Sequence, residues 1–102
     1  GALPPAAQAT DADLTAAYNT VVDACAKAAE PSRAESWLRA MLEKRLSPGV
    51  PTYTAVIDSC AKAADTAAAA AWLNRMVRER LEPNAKTLTA VIDGYAKAGD
   101  VA

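Results

Sequence analysis

The sequence predicts an all-α solenoid of stacked antiparallel helix pairs, and three observations carry that expectation. A thirty-five-residue block at 18–52 aligns without a gap on 53–87, and 88–102 opens a third copy. Within each block, apolar residues recur at helical spacing in two separate stretches. Alanine is abundant, including an unbroken run at 67–71, whereas glycine is sparse, which favours helix nearly throughout. A period of this length marks units that bury their apolar faces mainly against their neighbours. Such folds bind other molecules and rarely carry chemistry.

The first helix is expected at 15–28. Tyr18, Val21, Val22, Cys25, Ala26 and Ala29 fall at i, i+3, i+4, i+7, i+8 and i+11, one face of a helix. Asp13 or Thr15 can cap it, since a short polar side chain satisfies the orphan N–H groups of the first turn. The second helix, 31–45, carries Ala34, Trp37, Leu38, Met41 and Leu42 at the same spacing, with Pro31 suited to its first turn. The third and fourth, 50–63 and 66–80, repeat these stripes as Tyr53, Val56, Ile57, Cys60 and Ala69, Trp72, Leu73, Met76. Both tryptophans lie on the apolar stripe and are expected in the core. The fifth helix, 85–98, carries Leu88, Val91, Ile92 and Tyr95. Asp65 and Asp100 are N-cap candidates, and Pro48 and Pro83 close each unit because proline cannot continue a helix. The chain therefore divides into a Pro/Ala-rich leader at 1–14 and a repeat domain at 15–102, with repeats at 15–49 and 50–84 and a partial one at 85–102. A start at Gly1 rather than methionine suggests a processed or truncated beginning. The last helix, with no second helix after it, is expected to present Val91, Ile92 and Tyr95 as a protein-partner surface.

Composition narrows the function. The formal net charge is −1, so no global basic field draws the chain to nucleic acid or anionic lipid. Histidine is absent, which removes the commonest general base and the commonest metal ligand together. The serines have no histidine to activate them, and the four glycines are too scattered to cradle a phosphate. No catalytic residue, metal site, cofactor or small-molecule substrate is expected, and the chain reads as a non-enzyme. Cys25 and Cys60 occupy equivalent places in successive repeats. Neighbouring helix axes lie roughly 8–10 Å apart, beyond the about 7 Å between Cα atoms that a disulfide spans, so both are expected as free thiols. No apolar run is long enough to span a membrane, and the opening lacks the basic and apolar regions of a signal peptide.

Beside the buried stripe runs a second, polar one. Asn19, Asp23 and Lys27 are repeated as Thr54, Asp58, Lys62 and as Thr89, Asp93, Lys97. Stacked first helices would align these into three ladders across one face. Asp before Lys at i, i+4 is the favourable order for a helical ion pair, each worth about 0.2–0.5 kcal/mol. The ladders therefore read either as a solvated face held by such pairs or as a row of lysines that tracks a polyanion or an acidic partner.

The chain resembles the pentatricopeptide repeat family over about residues 15–102. The period, the Tyr-Asn-Thr-Val-Val-Asp opening, the Ala-Lys-Ala-Ala/Gly-Asp bend, the Ala…Trp-Leu…Met second helix and the Pro-Asn before the next unit carry the likeness. The resemblance implies a right-handed α-solenoid with first helices on the concave side, and a place in mitochondria or plastids. It also implies binding of single-stranded RNA, with two side chains per repeat reading one base. Those positions follow the first-helix tyrosine and the inter-repeat proline. Here they are Asn19 with Gly49, Thr54 with Asn84, and Thr89. Thr54 with Asn84 matches the family's combination for adenine, whereas Gly49 offers a base no side chain. Where the family usually places a base-sandwiching valine, this chain has Ala16, Pro51 and Lys86. Lys27, Lys62 and Lys97 match the positions that approach phosphates.

Two functions follow. The favoured one is a non-catalytic interaction module, an accessory or scaffold subunit packed among other protein subunits of a larger organellar protein or ribonucleoprotein complex. The alternative is sequence-specific binding of single-stranded RNA as a fragment of a longer array.

Overall fold

The computed structural model describes residues 10–99, and these form five α-helices: α1 (Asp11–Lys27), α2 (Pro31–Glu43), α3 (Val50–Lys62), α4 (Thr66–Arg78) and α5 (Ala85–Lys97). The expected helix order holds, and so does the all-α helical-repeat architecture. Leader residues 1–9 and the candidate cap Asp100 lie outside the described residues.

Local chemistry sets the boundaries. α1 begins at Asp11 because Thr10, rather than Asp13 or Thr15, is the N-cap. Its side chain accepts from the Asp13 N–H while Asp13 reaches back to the Thr10 N–H, a reciprocal capping box. Pro31 opens α2, and Asp65 caps α4 by accepting from the Ala68 N–H at 3.1 Å. Each helix stops one or two residues short of its expected end. The chain there turns into the left-handed region at Ala29, Arg45, Ala64, Arg80 and Gly99. After α1 to α4, paired bonds such as Ala64 N–H to Ala61 O and Asp65 N–H to Cys60 O close the turn as a Schellman motif. Four of the five residues in that left-handed conformation are not glycine.

First helices stack on one another, α1 on α3 and α3 on α5, while α2 and α4 pack behind them. α3 is the hub: Tyr53, Val56, Ile57 and Cys60 are fully buried, against a core that includes Val22 of α1, Leu38 and Met41 of α2, and Met76 of α4. Gly94 lets α5 settle onto α3, because a Cβ there would stand 2.8 Å from Ala61 Cβ. Cys25 and Cys60 are free and buried.

Two expectations are corrected. Trp72 is buried, but Trp37 is 37% exposed. Trp72 is covered by the preceding second helix, whose Glu35 accepts its indole N–H at 2.7 Å and whose Arg39 lies 5.4 Å above its ring. No described helix stands in that place before α2. Val91 is the second correction: it is only 8% exposed and belongs to the core. The stripe of α5 splits into two faces. Thr87, Ala90, Val91 and Gly94 are buried, whereas Leu88 and Ile92 are exposed and Tyr95 is half-buried. Their counterparts in α3 are Tyr53, Ile57 and Cys60, all buried.

Candidate functional site

The polar side of the first helices forms a row of grooves. The first, about 300 Å³, is lined by Asn19, Thr20, Asp23, Gly49, Pro51 and Thr52. The next, about 490 Å³, lies between α1, α3 and the start of α5 and brings together Asp23, Lys27, Pro51, Thr54, Asp58, Lys62, Asn84 and Lys86. A third, about 480 Å³, is lined by Asp58, Lys62, Asp93 and Lys97 between α3 and α5. The repeat in sequence is thus a repeat of grooves along one surface.

The lysine ladder is largely self-neutralised. Lys27 pairs with Asp23 and Lys62 with Asp58, each at 3.0 Å on an exposed part of the helix. Both pairs are weak, as exposed pairs generally contribute about 0–1 kcal/mol. A lysine held this loosely can exchange its carboxylate for a phosphate. Lys86 adds a cation to the larger groove with no carboxylate partner among the described residues.

Of the candidate base-reading residues that the resemblance implied, Asn19 and Gly49 line one groove and Thr54 and Asn84 the next. Asn19 is half-buried in the first groove, where its Oδ1 accepts from the Thr52 hydroxyl. Gly49 is the N-cap of α3, in extended backbone with φ −98°. Thr54 is only 4% exposed, and its hydroxyl lies 2.7 Å from that of Thr87. Asn84 is the N-cap of α5, with Oδ1 accepting from the Thr87 N–H at 2.9 Å. Thr89 is exposed at the equivalent position of α5. Ala16, Pro51 and Lys86 are all exposed.

The grooves follow the sequence repeat, and the decisive observation is a family model that covers both repeats. The PPR repeat family model matches residues 14–62 and again 48–97. The chain belongs to the pentatricopeptide repeat (PPR) family. A comparison with curated proteins finds no match. PPR repeats form helical modules that bind RNA or protein, generally without catalysis, and PPR proteins are typically organellar.

Within this PPR frame, sequence reasoning overlooked Thr52 and Thr87. They occupy equivalent places in successive repeats, and each bonds the residue that follows the previous repeat's first-helix tyrosine. The available signal was a threonine identical in both copies and placed just before the apolar stripe. Among the described residues, no three His, Cys, Asp or Glu side chains gather as a metal site, and no helix is long and apolar enough to cross a membrane.

Proposed function

We propose that the groove-bearing face of the first helices binds single-stranded RNA, one base per repeat, as part of an organellar PPR protein. The observation that carries this reading is the larger groove, where Thr54, Asn84, Lys27, Lys62 and Lys86 converge. It offers polar groups for a base edge and exchangeable cations for the backbone, and the smaller groove offers Asn19 one repeat earlier. Single bases contribute about 1–3 kcal/mol each by stacking. Two repeats therefore reach only about millimolar affinity before other costs. Titration of the 102-residue chain with single-stranded RNA, followed by amide NMR shifts, is the matching test. Shifts should cluster at Thr54, Asp58, Lys62 and Asn84 and shrink as salt rises. Shifts that avoid this face would overturn the proposal.

A second reading, an accessory or scaffold subunit held in a larger complex, is favoured by Leu88, Ile92 and Tyr95. These residues leave open on α5 the face that α4 covers on α3. A co-purifying protein that survives high salt and protects Ile92 from labelling would support it.

A further inference from the structure

We propose that Thr87 is a positioning residue that fixes which hydrogen-bonding groups Thr54 and Asn84 turn toward a ligand. The inference rests on the RNA reading of the larger groove.

Each hydroxyl has one proton to give. The Thr87 N–H donates to Asn84 Oδ1 at 2.9 Å, which fixes the orientation of the Asn84 amide, because an N–H needs an acceptor. The Thr87 hydroxyl also lies 2.9 Å from that same Oδ1. An amide oxygen cannot donate, so the single hydroxyl proton of Thr87 goes to Asn84. Thr54 Oγ1, at 2.7 Å from Thr87 Oγ1, then has to be the donor of that pair. Thr87 is fully buried, and its bond with Thr54 is buried with it. The consequence reaches the groove. Thr54 has spent its proton and keeps only lone pairs. Asn84 has filled its oxygen twice and keeps only the two N–H groups of its amide. The pair therefore presents an acceptor at Thr54 and a donor at Asn84.

Depth decides how a base meets that pattern. Thr54 is 4% exposed, at the floor of the groove, while Asn84 stands exposed at its rim. The exocyclic group of a base projects furthest from the ring, so it is the atom that reaches Thr54. An amino group donates there, and the adjacent ring nitrogen accepts from Asn84. A keto oxygen in the same pose sets lone pair against lone pair. Thr87 thus makes this groove choose amino-bearing over keto-bearing bases. One repeat earlier the direction is reversed: Gly49 has no side chain to take the Thr52 proton, so Thr52 donates to Asn19 Oδ1.

The test uses two trinucleotides, of adenosine and of inosine, which differ in the amino or keto group at C6 and in the proton that inosine carries on N1. NMR titrations of the chain should show the adenosine form binding on the order of tenfold tighter. Thr87→Val keeps the shape but removes the relay, freeing Thr54 to donate, and should narrow the preference several-fold, the remainder coming from Asn84, which the residue 87 N–H still orients. Thr87→Ser restores a hydroxyl and should restore the preference, a rescue that a purely structural role would not produce. If Thr87→Val folds and keeps the preference of the native chain, Thr87 does not set polarity while RNA binding stands. If neither trinucleotide shifts the native chain, the RNA reading fails and takes this inference with it.

Discussion

The indole N–H of Trp72 donates to Glu35 Oε2 across 2.7 Å, a bond between the second helices of successive repeats. Arg39 completes the contact, lying over the Trp72 ring and 3.6 Å from the same carboxylate oxygen. The first helices stack through apolar packing and the Thr52–Asn19 and Thr54–Thr87 hydrogen bonds, and this polar clamp ties α2 to α4 behind them.

Trp72→Ala should therefore cost about 3–5 kcal/mol, as for other large buried aromatics. Trp37→Ala, at a site that is 37% exposed, should cost only about 1–2 kcal/mol. Urea denaturation measures both. A Glu35/Trp72 double-mutant cycle should show coupling of about 1–2 kcal/mol, the range of a charge-assisted hydrogen bond.

Replacing Gly94 by alanine should destabilise the chain by about 1–3 kcal/mol, despite alanine's better helix propensity. The added methyl would meet Ala61 Cβ at 2.8 Å and Ala61 Cα at 3.1 Å, so α5 must move away from α3. Equilibrium unfolding checks the sign, and a net gain in stability would contradict the close approach.

Ala64→Gly should act in the other direction. Ala64 sits at φ 59° in the turn after α3, where a Cβ is strained and glycine is not. A gain of about 0.5–1 kcal/mol is expected, with Ala29→Gly behaving alike at φ 58°. Thermal melts of the two variants and their combination provide the measurement.

Stability should fall as the solution becomes strongly alkaline. Burial pushes the Cys60 thiol up to about 12, with Glu35 and Asp65 adding negative charge nearby. Burial also raises the Tyr53 phenol, with Arg75 opposing it. An acid whose folded value is raised keeps its proton in the fold but loses it on unfolding. Its contribution is complete below the ordinary thiol value of about 9 and is lost progressively toward about 12. Melting temperatures between those limits should decline, and Cys60→Ala should flatten the slope.

The repeat, its five helices and the inward-facing sides of α1 and α3 were legible in the sequence, because period and apolar spacing are local properties of the chain. The Asp–Lys ladders were legible too, since equivalent residues of stacked repeats line up, whereas the pairing of Thr54 with Asn84 was an expectation carried by the family resemblance alone. Three things were decided by tertiary structure alone. The apolar stripe of α5 divided, burying Val91 and exposing Ile92, because a helix face is inside only where a neighbouring helix covers it. Trp37 and Trp72, at equivalent positions of the repeat, parted for the same reason: among the described residues only Trp72 has a preceding second helix. The hydroxyl relay from Thr54 through Thr87 to Asn84 depends on contacts between side chains thirty-three residues apart. Periodicity reports which residues are equivalent, whereas hydrogen-bond polarity follows from which atoms finally meet.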